Sequence, residues 1–185
     1  MQLAIIKRLS SGLHFRSNWT WSHAIDEVSD MFDTRGFFAL PEDSAKPDKD
    51  RASANFDARH RVTGFLTWDG FRSWSFALTG EFQTGQPYTV NTVVDLNGDG
   101  NLTDRLGVGR NTSRAAGIRT VDAAVTRSFS IGNSGTLDAR IEVFNVFNQT
   151  NFGIPVRILE SPGFGTSFDT QVNSTSIRLA AKVKF

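Results

Sequence analysis

Apolar and polar residues alternate strictly along several parts of the chain. In STSIRLAAKVKF, at the C-terminal end, Ile177, Leu179, Ala181, Val183 and Phe185 share one parity while Ser176, Arg178, Lys182 and Lys184 share the other. A side-chain period of two belongs to an extended strand with one greasy face and one wet face; a helix would mix the two sets. TLDARIEVFNVFN repeats the pattern, with Leu137, Ala139, Ile141 and Val143 set against Thr136, Asp138, Arg140 and Glu142. SWSFALTGEFQTG divides Trp74, Phe76, Leu78, Gly80 and Phe82 from Ser75, Ala77, Thr79, Glu81 and Gln83, and GLHFRSNWTWS divides Leu13, Phe15, Trp19 and Trp21 from His14, Arg16, Asn18, Thr20 and Ser22. Three weaker segments, QLAIIKRLS, RHRVTGFLTW and IRTVDAAVTRSFSI, bring the expectation to seven strands. Each is about 9 to 11 residues long, the length a tilted membrane strand needs.

The connections come in two lengths that alternate. Ser10 to Gly12, Asp69 to Ser73 and Gly132 to Gly135 read as hairpin turns in which Gly supplies the positive φ. The other three, roughly Asp26 to Ala58, Gln86 to Gly117 and Asn148 to Asn173, are long. Nothing in a soluble sandwich demands that alternation, whereas an outer-membrane barrel has short periplasmic turns and long external loops. The expected fold is therefore all-β: an antiparallel up-and-down meander of about seven or eight strands, forming a partial or small transmembrane β-barrel. One segment breaks the rule. WSHAIDEVSDMF spaces Trp21, Ala24, Ile25, Val28, Met31 and Phe32 at helical intervals, which predicts a short helix at the start of the first long loop.

Composition sharpens this reading. The 185 residues fit one domain, 1–185, and they hold 16 Phe, 4 Trp and 16 Gly against 1 Tyr, a mixture that favours β architecture. No run approaches the roughly 20 apolar residues of a membrane helix, so a bilayer would be crossed by strands. Trp19, Trp21, Trp68, Trp74, Phe129 and Phe185 fall near strand ends, where an interfacial girdle would want them. A net charge of +1, with Lys and Arg scattered among Asp and Glu, gives no basis for nucleic-acid binding. Cysteine is absent, which removes thiol nucleophiles and cysteine metal sites.

One motif carries ligand chemistry. In DLNGDGNLTD, Asp95, Asn97, Asp99, Asn101 and Thr103 occupy alternate positions, and Gly100 allows the sharp turn that lets hard oxygens converge on a cation. This resembles the first half of a calcium loop. The bidentate Glu expected at position twelve is replaced by Leu106, and Asp104 is the candidate for the missing carboxylate. Ser22, His23 and Asp26 lie too close in sequence to form a catalytic triad. His60, with Arg59, Arg61 and Asp57, reads as an electrostatic cluster at a strand mouth, and no enzyme is expected. Arg16, Glu81, Arg140, Glu142, Arg178 and Lys182 are expected to share one wet face and to pair across strands.

The ordered series SSGLHFRSNWTWSHAID, FDARHRVTGF, GQPYTV, DLNGDGNLTDR and ARIEVFNVFNQTNFG, followed by a strand ending in Phe185, resembles the C-terminal part of the Oar-like TonB-dependent receptors. The resemblance covers nearly the whole chain. It implies a wall of about 22 strands in the bacterial outer membrane, with an N-terminal plug, and solute uptake as the activity. A plug, a TonB-gripping segment and a signal peptide are not found in these residues, so the expectation is a truncated piece of a longer receptor. The resemblance also places the family's export signal on Ile177 to Phe185, read by the outer-membrane assembly machinery. Outer-membrane lipid and the remainder of a receptor barrel, or other copies of the chain, are the further expected partners, since open strand edges in hydrocarbon are costly. The alternative, from another class, is a soluble calcium-dependent β-sandwich that buries its apolar faces between two sheets.

Overall fold

The computed structural model describes residues 1–29, 41–43, 45–100, 104–132 and 134–185. Seven long strands carry the fold: β1 (Gln2–Ser10), β2 (Leu13–Trp21), β5 (His60–Phe71), β6 (Trp74–Gln83), β9 (Ile118–Ile131), β10 (Gly135–Phe144) and β11 (Ser176–Lys184). They form one antiparallel sheet in the order β1-β2-β5-β6-β9-β10-β11, each strand beside its predecessor along the chain. The up-and-down meander expected from the alternation is what the chain builds. The sheet does not close, and β1 and β11 are its two edges.

Two pairs of two-residue strands sit in the long connections. β3 (Ile25–Asp26) pairs with β4 (Ala52–Ser53), and β7 (Pro87–Tyr88) pairs with β8 (Ser113–Arg114).

The turns join strands at one end. Ser11 and Gly12 take φ of 53° and 72°, and Arg72 and Ser73 take 33° and 62°. Two successive positive φ values match the right-handed twist of the flanking strands. The second turn differs from expectation: Gly70 lies inside β5, at an irregularity between Trp68 and Phe71, and the turn is made by Arg72 and Ser73. Trp68 is the reason. Its indole lies where a Cβ on residue 70 would stand, so only Gly fits the bulge.

The expected helix after Trp21 does not form over the described residues. Trp21 ends β2, and Ile25–Asp26 are extended. The Ala24 N–H donates to the Asp57 carboxylate at 3.0 Å and the Ala24 carbonyl accepts from Ala54 at 2.9 Å, so both groups are engaged by distant chain. Met31 and Phe32 lie outside the described residues.

Burial is inverted relative to a soluble domain. Among the described residues the buried apolar side chains are few and small: Ala54, Pro87 and Ala124. The buried polar set comprises Asp50, Asp57, Thr89, Asn91, Thr92, Asp104, Arg105, Arg110, Asn111, Asn145 and Asn151, all within the long connections. No second sheet covers the apolar face of the first among the described residues. The sandwich alternative is thereby corrected, because a sandwich needs its apolar residues shut between two sheets.

Candidate membrane interface and loop cap

Register sorts every strand residue onto one of two faces. One row of paired residues runs Lys7, Phe15, Leu66, Leu78, Ala123, Val143, Ile177. The row starts near the turn end of β1 and finishes near the loop end of β11, which is the stagger that strands tilted across a membrane wall require. Rows on the same face add Leu13, Trp68, Phe76, Val125, Ile141 and Leu179. This surface is apolar and open: Leu78 is 46% exposed and Leu179 is 74% exposed.

Aromatic rings gather at both borders of that surface. At the turn end Trp68 stacks on Phe76 with centroids 5.6 Å apart, and the Arg127 guanidinium lies 5.0 Å from the Trp74 ring and 4.9 Å from Phe129. At the loop end Trp19 stacks on His60 at 5.8 Å, and Arg119 lies 5.7 Å from the Phe82 ring. Arg119 and Arg127 are eight residues apart on β9, both on the apolar parity. That separation is about 26 Å along a strand rising ~3.3 Å per residue, and on the order of 20 Å across a sheet tilted by about 40°. With each side chain reaching outward, the interval matches the ~25 Å apolar band of an outer-membrane barrel. Sequence reading missed these two arginines, although their parity in IRTVDAAVTRSFSI was available.

The opposite face is charged and cross-paired. Glu142 on β10 accepts from Arg178 on β11 and, at 2.9 Å, from Arg140. Asp138 on β10 accepts from Lys184 on β11 at 2.7 Å and from Ser128 on β9 at 2.6 Å, while Arg61 on β5 meets Glu81 on β6 at 2.9 Å. Arg16 donates to Asn18 at 3.1 Å. The expected charged set therefore occupies one face, where water keeps both partners ionised. His60 departs from its expected cluster: its Nδ1 accepts from the Trp19 indole N–H at 3.2 Å, which turns it to the aromatic border.

The three long connections knit into a cap at the other end of the sheet. Arg110, from the second, donates to the Asp50 carbonyl at 2.7 Å, the Ser29 hydroxyl at 3.1 Å, the Asp26 carbonyl at 2.6 Å and the Asp26 carboxylate, all in the first. Arg105 pairs with Asp50 and, at 3.4 Å, with Glu42. Asn111 donates to the Ser53 carbonyl and to Asn55, both at 2.7 Å. The third connection joins through Glu160, which accepts from the Val93 N–H at 3.1 Å and from the Thr92 hydroxyl. These two donors hold the Glu160 carboxyl below its ordinary 4.5.

Asp57 is the hinge between cap and sheet. Its carboxylate accepts from Arg59 and from Arg114, each at 2.9 Å. Burial alone would raise its pKa, but the Arg59 hydrogen bond, the Ala24 N–H and Arg114 together hold it below 3.8. Ser22, His23 and Asp26 diverge. Ser22 donates to the Ala58 carbonyl at 3.1 Å, the His23 ring lies 2.8 Å from Arg59 and 3.2 Å from Ser53, and Asp26 serves Arg110.

The candidate calcium loop is a tight turn on the cap. Asp95 accepts from the N–H groups of Gly98 at 2.6 Å, Asp99 at 3.2 Å and Gly100 at 2.9 Å, and Asn97 accepts from Asp99 at 2.9 Å. Gly100, expected to allow the sharp turn, has a left-handed φ of 83°, and Gly98 has one of 74°. Asp104 closes the base of the turn by accepting from the N–H groups of Leu96 and Asn97. Asn101 and Thr103 lie outside the described residues.

The family model for the outer membrane beta barrel domain matches residues 1–107 and 105–179. The chain belongs to that outer membrane barrel family. No curated protein and no solved structure matches it. Membership places the protein in the bacterial outer membrane, where barrels of this kind present an apolar band to lipid. By the same architecture the short turns are periplasmic and the cap faces the exterior.

Proposed function

We propose that the seven strands are one stretch of the wall of a TonB-dependent receptor of the Oar-like kind, which takes up solute across the outer membrane. The observation that carries this reading is the direction of the two edges. β1 descends from Gln2, opposite Thr20 at the loop end, to Ser10 at the turn end, and β11 descends from Ser176, opposite Phe144, to Lys184. Both edges thus run the same way.

Each edge exposes a row of backbone N–H and C=O groups, and an unpaired group in hydrocarbon costs several kcal/mol. Joining copies head to tail would put β1 beside β11 in parallel at every seam. Pairing like edges about a dyad would turn one copy upside down in the membrane. An all-antiparallel wall instead needs an ascending strand beside each edge, hence an odd number of additional strands. A large receptor of about 22 strands meets that condition, since it would supply about 15 more. A charged, watered inner face and a cap over one end fit a solute path. In the same reading β11, with Phe185 at its end, is the strand engaged by the assembly machinery.

Two measurements test the proposal. Cysteines placed along β1 and β11 in cells are expected to form no disulfide with each other; a bridge between the two edges of one molecule would mean that the sheet closes alone. Growth is compared across a panel of peptide, saccharide and iron-chelate nutrients in strains lacking this protein, lacking TonB, or lacking both. The expected outcome is loss of the same nutrient in both single mutants with no further loss in the double. Additive losses would overturn the transport reading.

A further inference from the structure

A hollow of about 450 Å³ is set into the apolar face where β2, β5, β6 and β9 run side by side, and on that face Phe15, Ser17, Leu66, Leu78, Phe82 and Val121 line it. The volume falls within the range of small-ligand sites, about 300 to 1,000 Å³. Gly64 and Gly80, paired across β5 and β6, complete the lining. The backbone requires neither glycine. The ladder is regular around them, neither has a positive φ, and an added Cβ would meet nothing closer than 3.5 Å at Gly64 or 3.9 Å at Gly80. Glycine inside a strand carries an entropic cost, and it often marks a place where a ligand comes close to the backbone.

Depth and charge point to the occupant. On β9, Val121 lies between Arg119 at the loop-end border and Ala123 in the middle of the band, so the hollow sits in the exterior half of the wall. Arg119 stands at its lip. The guanidinium lies 5.7 Å from the centroid of the Phe82 ring, which itself lines the hollow, and among the described residues no carboxylate meets it. Over the paired length of the sheet no carboxylate shares the apolar parity at all, since Glu81, Asp122, Asp138 and Glu142 lie on the other face. The complement of such a surface is hydrocarbon carrying an anion at headgroup depth, and the arginine fork is suited to phosphate.

We propose that this hollow binds one phosphorylated lipid of the exterior leaflet, a lipopolysaccharide, with an acyl chain laid over Gly64 and Gly80 and a phosphate held by Arg119. Trp19 lies in the same row as Val62, Phe82 and Arg119 and marks the headgroup level. A protein partner on this face would have to bring a carboxylate to Arg119 at the edge of the hydrocarbon, which is costly, whereas a lipid carries its phosphate at that depth already. The inference rests on the apolar face meeting lipid and not on the transport reading. All four strands are interior to the sheet, so it is also independent of what borders β1 and β11.

The test is native mass spectrometry of protein extracted from outer membranes in mild detergent, stripped of lipid and titrated with lipid A, with lipid A lacking its phosphates, or with phosphatidylethanolamine. One lipid A per molecule is expected to be retained, about tenfold more tightly than either of the others. Arg119→Gln should weaken lipid A binding about tenfold and leave the dephosphorylated form unchanged, while Gly64→Val with Gly80→Val should weaken both. The heat-dependent gel shift reports whether each variant is folded. Should the valine pair fail to fold, Gly64→Ala with Gly80→Ala decides, since there is room for both methyl groups. No retention of lipid A, equal retention of the three lipids, or variants that bind as the native protein does would overturn the site. So would a photo-crosslinking residue at Val62 that captures a protein in cells and no lipid.

Discussion

Adjacent residues on one strand should respond oppositely to the same charge. Leu78 and Thr79 neighbour each other on β6, both exposed, and they face opposite sides of the sheet. Leu78 lies in the row with Leu66 and Ala123, and Ala123 is four residues from both Arg119 and Arg127, so it sits midway across the apolar band. Arginine at that depth costs about 2–4 kcal/mol in an outer-membrane barrel. At about 1.36 kcal/mol per tenfold change, Leu78→Arg is expected to lower the folded-to-unfolded ratio roughly 30- to 900-fold. Thr79 pairs with Asp122 and lies on the face that carries Glu81, so Thr79→Arg gains carboxylate neighbours and should change stability by no more than about 0.5 kcal/mol. Urea unfolding in lipid vesicles, followed by the heat-dependent gel shift of folded barrels, measures both. In water Leu78→Arg would cost little, because the side chain it replaces is already exposed. Equal effects at the two positions, or a larger loss at residue 79, would refute the assignment of lipid to the apolar face.

Further outcomes follow from the cap and its hinge. Arg110→Met leaves Asp26 and Asp50 without their shared donor and should destabilise the cap by about 3–5 kcal/mol, read as faster hydrogen exchange over residues 22–29 and 47–57 with the strands unchanged. Asp57 has a folded pKa depressed below 3.8, so its contribution is fully present above 3.8 and is lost as pH falls through the folded value. Protease resistance of the cap should therefore decline below about pH 3.8, and Asp57→Asn should lose most of that dependence. Gly85→Ala should pry the second loop open, since a Cβ there would overlap the Ala115 carbonyl oxygen; cleavage within residues 86–116 is the readout.

The wall was legible in the sequence and the cap was not, for one physical reason. A strand's two faces are written into successive residues, so Leu137 to Val143 and Ile177 to Val183 disclose their pairing without any knowledge of their neighbours. The cap depends on partners far away in the chain: Arg110 contacts Asp26 and Asn111 contacts Ser53. The helical spacing from Trp21 to Phe32 misled because periodicity records only local preference, and the groups of Ala24 are taken by Asp57 and Ala54. His60 misled in the same manner, since its charged neighbours in sequence lie on the other parity from Trp19, its partner in space. The Asp95 turn was legible because its hydrogen bonds stay within a few residues, while the burial of Asp104 was not.

The interlocking of the cap sets an order of events during biogenesis. Every pairing in the sheet joins segments adjacent along the chain, so hairpins can zip one after another as they arrive. The first external segment, however, is fastened by Arg105, Arg110 and Asn111, which follow the second hairpin, and the second is fastened by Glu160, which follows the third. The outer surface of this molecule therefore sets piece by piece, each segment waiting for chain that arrives only after the hairpin that follows it.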